Sequence, residues 1–241
     1  MIVLLTDFGT DDLYVGVMKG VIGTLAPGLP VVDLAHGVPP QAIGVGAAWL
    51  DAAWRYFPVG ATFVCVVDPG VGTTRRPLAV RAGGRTFVGP DNGLLGLLPI
   101  DEARVIAADW GLEPRSATFQ GRDLFAPVAA RLAAGADFAA VGPLAGTIVA
   151  APVPAPALHA GVVLWTDRFG NLVTSLGPRT DGVVSGEGWR APVVRTYGDA
   201  PDGALVALTG SAGRLELSVV GGDAGRRLGL GAGQPVTWAP A

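Results

Sequence analysis

"TFVCVVDPGVGTTRRP", residues 62–77, decides how the first part of the chain is read. Its opening half is an unbroken apolar run of β-branched and aromatic residues. That is the pattern of a strand buried on both faces, as in a parallel sheet covered by helices, and lacks the alternation of a sheet with one wet face. Its second half leaves the strand through Asp68, Pro69, two glycines and two threonines, and reaches Arg75 and Arg76. A plain turn needs only Gly, Asn or Pro. A carboxylate and a guanidinium at a buried strand's end fit either a salt-bridged turn or a working site, and the residues of this stretch leave both open.

Working outward, "IVLLT" (2–6) and "PVVDLA" (30–35) repeat the apolar strand pattern, and helical periodicity fills the gaps at about 13–25 and 41–56. Trp49 and Trp54 fall five apart on the second of these helices and read as core. "PLAVRA" (77–82) and "RTFVG" (85–89) flank "GG" as a hairpin, and "FAPVAARLAAG" (125–135) reads as a short helix ended by Gly. This alternation predicts an α/β region with a mostly parallel sheet flanked by helices. The Pro- and Ala-rich "VAAPVPAPALHAG" (149–161) reads as a semi-rigid linker. Beyond it, "GVVLWTD", "NLVTSL", "PVVRTY", "GALVALTG", "RLELSVV" and "QPVTWAP" are short strand-like runs with no good helix among them. They predict a C-terminal all-β barrel or sandwich.

Composition excludes several function classes. Seventeen basic residues against 20 acidic give a net charge of −3, no footprint for nucleic acid and little attraction to an anionic membrane. Half of the 241 residues are apolar and 15% charged, so the chain is expected to fold around a sizeable core. Two histidines and one cysteine do not furnish a nitrogen–sulfur metal site, so no metal is expected. The lone Cys65 allows no internal disulfide, which fits a cytoplasmic setting. "MIVLL" meets Asp7 too early for a signal peptide or a membrane span. No serine elbow, P-loop or G-x-G-x-x-G pattern is present.

The chemistry-bearing candidates lie where strands end, since ligands of parallel sheets gather at carboxyl tips. Asp7 follows the first strand and precedes Gly9; one carboxylate there suits both hydroxyls of a ribose. Asp11 or Asp12 fits a helix N-cap as well as any ligand role. Gln120, in "TFQGRDLFAP" (118–127), offers an amide to a ligand or to water, while Arg122 and Asp123 read as an ion pair near a helix start. In "TDRFGNLVTSL" (166–176), Asn171 fits either a left-handed turn residue or a reader of a base edge beneath a stacked Phe169. His36 reads more simply as a hydrogen-bonded structural group than as a catalyst, and His159 lies in the linker.

"TDFGTDDLYVGVMKGVI", "VVDLAHGVPPQ", "VVDPGVGTTRRP", "GPDNGLL", "TFQGRDLFAPVAA", "DRFGNLVTSL" and "GSAGRLELSVV" follow in this order along nearly the whole chain. As a set they resemble the S-adenosyl-L-methionine hydroxide adenosyltransferases, whose superfamily includes the S-adenosylmethionine-dependent fluorinase and chlorinase. The resemblance implies an α/β domain over residues 1–150 with the ribose and water sites, and a small β-barrel domain over 158–241 with the adenine and methionine contacts. It implies a homotrimer with ligand sites between subunits. The implied reaction is attack of water on ribose C5′ of S-adenosyl-L-methionine, giving adenosine and L-methionine without a cofactor.

Carried over by position, Asp7 resembles the ribose-binding aspartate. Asp68 and Arg75 resemble two members of an Asp-Arg-His set that activates water, Asp68 also lying against the substrate. Asp167 resembles the acid that holds the methionine ammonium, and Asn171 the adenine reader with Phe169 in its turn. Ser211, Glu216 and Val219 fall in the segment that closes over adenine and the amino-acid part. The departure is Gln120, which stands where the hydrolases carry histidine in "TFHGRD". Glutamine donates to and accepts from water but takes no proton at neutral pH. It therefore admits a second expectation, a catalytically weak or silent adenosine- or S-adenosylmethionine-binding protein. A 5′-halogenase is a third, favoured by Gly121, which matches the chlorinase, and opposed by Asp68, whose charge repels a halide.

Overall fold

The apolar runs become strands because both their faces find cover. In the computed structural model, which describes residues 1–113, 115–154 and 156–241, the chain divides into two compact units, Met1–Pro152 and Val153–Ala241. The first unit holds strands β1 (Ile2–Thr6), β2 (Val31–Ala35), β3 (Thr62–Val66), β4 (Pro77–Ala82), β5 (Arg85–Pro90) and β6 (Ile100–Val105). Its helices are α1 (Tyr14–Leu25), α2 (Ile43–Ala53) and α3 (Ala126–Ala133). The sheet order is β2-β1-β3-β5-β4-β6. β1 runs parallel to β2 and β3, and β3 parallel to β5, while β4 pairs antiparallel with β5 and β6.

Alternate residues of one strand go to opposite layers. Ile2 and Leu4 of β1 join Val64, Val66 and Val88 under α1 and α3, while Val3 and Leu5 join Phe63, Cys65, Val67 and Phe87 under α2. The rings of Phe63 and Phe87 stack at 4.7 Å between centroids, 18° from parallel, a geometry that adds about 0.5–1.5 kcal/mol to the burial of their area. Cys65 is fully buried in this layer, and that burial pushes its thiol well above the ordinary range. Trp54 is buried there too, as the sequence predicted for it, and Trp49 packs against the same layer half-buried.

Several local expectations are corrected. α2 begins at Ile43 and continues only as a 3-10 turn over Trp54–Tyr56. α1 has Leu13 at its N-cap position with no side-chain cap, so neither Asp11 nor Asp12 caps it. β6 was hidden because its "IDEARV" sequence carries charges at a sheet edge, where one neighbour and much solvent replace apolar cover. The segment Gly121–Phe125 forms a π-helical turn that leads into α3.

The second unit is a nearly closed antiparallel barrel of β7 (Ala160–Thr166), β8 (Leu172–Thr174), β9 (Val183–Gly186), β10 (Trp189–Pro192), β11 (Leu205–Thr209), β12 (Leu215–Val219) and β13 (Pro235–Ala239). Its order is β10-β9-β13-β7-β8-β12-β11, and a bridge from Val193 to Ala207 brings the two outer strands together. "PVVRTY" is therefore not a strand of its own. The β9–β10 ladder, which turns on Glu187 and Gly188, ends at Pro192, and Val193 and Val194 pass on to Gly182 and Ala207. One short helix is present after all: α4 (Ala224–Leu228), capped by the Asp223 side chain on Arg226 N at 2.7 Å. Within the stretch expected as a linker, Val149 N donates to Asp91, and Ala157 bridges Leu176. Ala160 already belongs to β7, and Ala155 lies outside the described residues. No helix among the described residues is long and apolar enough to cross a membrane.

Candidate active site

Neighbouring parallel strands bring the first two acids to one edge. Thr6, the last residue of β1, pairs with Val66, the last of β3, so Asp7 and the 67–76 loop both emerge from that carboxyl edge of the sheet. Asp68 and Arg75 form an ion pair there, with side chains only 4% and 10% exposed. Arg75 Nε donates to Asp68 Oδ1 at 3.0 Å and Nη2 to Oδ2, a two-pronged contact that fixes both planes. Nη2 also donates to Gln120 Oε1 at 2.5 Å. A guanidinium has only donors, so Gln120 must turn its oxygen inward and is left with an NH₂ to offer a ligand or water. The structure thus brings Asp68, Arg75 and Gln120 together, although they lie up to 52 positions apart.

Three devices hold this group. Gly72 takes φ +79°, and a Cβ on it would sit 3.0 Å from Ala117 O, so only glycine lets the 67–76 loop lie against the segment leading to Gln120. Asp123 is buried, accepts from Ser116 N at 2.7 Å and pairs with Arg122, whose guanidinium holds its carboxyl below the usual range. Arg122 and Asp123 therefore serve the structure, as the simpler reading expected. The Arg75 guanidinium lies over the Phe125 ring at 5.4 Å, within the π-helical turn.

Asp7 has its own support. Its Oδ2 accepts from Gln41 N at 2.8 Å, and Gln41 is a non-glycine residue at positive φ, +65°. A non-glycine backbone held in that region marks a constraint imposed by its surroundings. Thr6 Oγ1 accepts from Phe8 N at 3.2 Å and shares a 2.8 Å hydrogen bond with His36 Nδ1. The other ring nitrogen of His36 stands 3.0 Å from Asp33, which Lys19 also holds. His36 is thus a buried structural link under the Asp7 turn, in line with its bland reading.

In the second unit, Asp167 organises its own turn. Its Oδ1 accepts from Phe169 N and Asn171 N, each at 2.8 Å, and its Oδ2 from Asn171 Nδ2 at 2.9 Å. Gly170 takes φ +86°, and a Cβ on it would strike the Asp223 carboxyl at 2.2 Å, so α4 seats on this turn only because glycine stands there. Phe169 is left 77% exposed while Asn171 is buried. Phe169, Asn171, Tyr197, Val219, Gly222 and Asp223 line a cleft of about 640 Å³. Tyr197 donates to Glu216 Oε1 at 2.7 Å and accepts from Asn171 Nδ2 at 3.4 Å. Burial, joined by the Asp167 charge, pushes the Glu216 carboxyl above its usual range against the pull of Tyr197. Burial and Glu216 push the Tyr197 phenol up to about 12. Ser211 is not brought to this cleft: it lies exposed in the turn between β11 and β12, at the end of β12 away from Val219.

With both hydrogens of Asn171 Nδ2 directed at Asp167 and Tyr197, its Oδ1 is left to face a ligand's donor. In the loop after β3, the Asp68 carboxylate and the Gln120 amide, both held by Arg75, offer an acceptor beside a donor. Sequence reading missed Gln41, Tyr197 and the Asp91–Asn92 turn. Only "GPDNGLL" among these carried a local signal, the Asn-Gly dipeptide of a turn. No three His, Cys, Asp or Glu side chains stand together as metal ligands among the described residues.

Residues 2–142 match the family described as SAM hydroxide adenosyltransferase N-terminal domain, and residues 161–237 its C-terminal domain. An (R)-S-adenosyl-L-methionine hydrolase of Thermus thermophilus is 47% identical, over 96% of this chain and 96% of that protein. A fluorinase of Actinoplanes sp. is 28% identical, over 83% of this chain and 84% of that protein. A crystal structure of a conserved Thermotoga maritima protein covers 99% of this chain and all of its own at a TM-score of 0.92 and 34% identity.

Proposed function

The chain belongs to the SAM hydroxide adenosyltransferase family, and on that premise we propose that it hydrolyses S-adenosyl-L-methionine to adenosine and L-methionine. The observation that carries this reading is the buried Asp68–Arg75 pair one strand away from Asp7. Water forms a bond from its oxygen to ribose C5′ as the C5′–S bond breaks. The electron pair goes to sulfur, which leaves as the neutral thioether of methionine, and one proton of the water passes through Asp68 to solvent. Because the leaving group needs no proton, catalysis reduces to in-line placement and one base.

Asp7 binds the ribose hydroxyls, Asn171 reads the adenine edge with Phe169 stacked on it, and Asp167 and Glu216 face the cationic amino-acid end with Val219 beside the base. Ser211 belongs with them only if its exposed turn moves over the ligand. Arg75 orients Asp68, and Gln120 donates to the attacking water. No cofactor takes part. The active form is a homotrimer with sites between subunits, working in the cytoplasm.

The experiment is incubation of the protein with S-adenosyl-L-methionine of mixed sulfonium configuration, with and without chloride, followed by chromatography. Adenosine and methionine should form in equal amounts without halide, with the R epimer consumed first, as the names of the relatives suggest. Adenosine binding without product would instead establish the silent binder that Gln120 admits. A 5′-chloro nucleoside would establish the halogenase.

Gln120→His tests the departure directly. With Asp68 as base, kcat should stay within about threefold of the parent; a rise of about tenfold or more would assign proton acceptance to position 120, since a positioned base is worth roughly 10²–10⁴-fold.

A further inference from the structure

The ladder between β3 and β5 ends at Val64 and Val88, before β3 itself ends. Past that point a side chain replaces the missing strand partner. Asn92 Nδ2 donates to Val67 O at 2.8 Å, while its Oδ1 accepts from Leu94 N at 3.1 Å and closes the turn that carries it. One residue earlier, Asp91 N donates to Arg76 O at 2.8 Å. The buried Asp91 carboxylate accepts Arg76 Nε at 2.8 Å and also Arg76 Nη2, and its other oxygen takes Val149 N at 2.8 Å. Arg76 is tied in turn to the carbonyls of Ala145 and Thr147 at 2.6 and 2.7 Å.

Val67 and Arg76 are the residues just outside Asp68 and Arg75. One two-residue turn therefore grips both feet of the loop whose side chains form the proposed catalytic pair. We propose that Asp91 and Asn92 are positioning residues for Asp68 and Arg75. They touch no substrate and fix the ends of the loop, so that carboxylate and guanidinium meet the reacting carbon and the water already in place. The proposal rests on the hydrolase reading of that pair. In-line displacement is sensitive to such placement, and a shift of about 1 Å costs about a hundredfold in rate.

Asn92 is the cleaner probe, because removing Asp91 strands the Arg76 guanidinium and the Val149 amide as well. Asn92→Asp keeps the shape and the Leu94 contact but turns an acceptor toward the Val67 carbonyl; Asn92→Ala removes both contacts. For the full-length protein and both variants, kcat, KM, the thermal midpoint, and the affinity and stoichiometry of adenosine binding would be measured. In both variants kcat should fall about 10–100-fold, with adenosine affinity within about threefold and stoichiometry unchanged, because Asp7 and the barrel cleft are held by other contacts. A purely structural role would lower rate and binding stoichiometry together, and that result, or an unchanged kcat in a folded variant, overturns the proposal. Failure of the hydrolase reading would show earlier and separately, as a parent protein that forms no adenosine.

Discussion

Asp68→Ala is expected to lower adenosine formation by about 10²–10⁴-fold, the range a positioned base contributes, while adenosine still binds. The carboxylate is only 4% exposed and is paired with Arg75, so removing it takes away the group proposed to accept the water's proton and leaves the proposed adenine and ribose contacts standing. The alanine variant also leaves the Arg75 guanidinium buried with only Gln120 to receive it. Asp68→Asn is therefore the companion: it keeps one oxygen for the guanidinium and cannot act as a base at neutral pH. Both should show the same loss of kcat by chromatography, with adenosine affinity by calorimetry within about fivefold of the parent. Turnover near the parent rate in either variant would remove Asp68 from the mechanism.

Asp7→Ala should act on binding first. A carboxylate accepting two ribose hydroxyls makes charge-assisted hydrogen bonds worth about 1.5–3 kcal/mol each, so the loss of even one raises KM by roughly 10–150-fold. kcat should fall less, since the Asp68–Arg75 pair is intact. The substitution also frees the Gln41 amide, which now donates to Asp7 from a left-handed backbone. Gln41→Gly in the same background separates the two effects: it relaxes the backbone and should not restore KM. Equal KM for the parent and Asp7→Ala would show that the ribose is held elsewhere.

Much of the fold was legible because burial writes itself into sequence. β1 and β3 have no exposed residue, and their unbroken apolar runs announced a sheet covered on both sides. The barrel was legible from short runs punctuated by Gly and Pro. β6 and α4 were not: one is a charged edge strand, the other a five-residue helix whose capping Asp223 looks like any loop aspartate. Of the site, Asp7 and Asp68 stood out because each follows a buried strand. Gln120 stood out only as a departure from the resembled motif, and its tie to Arg75, 45 positions earlier, needed the fold. Tyr197 could not be found from sequence, since its partners Asn171 and Glu216 lie 26 residues earlier and 19 later and nothing local marks it.

Cys65 lies in β3, three residues before Asp68, and is sealed from solvent on both sides of the sheet. Sulfur chemistry requires an accessible thiolate, and this thiol is neither accessible nor readily ionised. The Cys65 thiol of the folded protein is thus shielded from peroxide and glutathione. A chain proposed to liberate a sulfur amino acid keeps its one thiol out of the reach of cellular redox state.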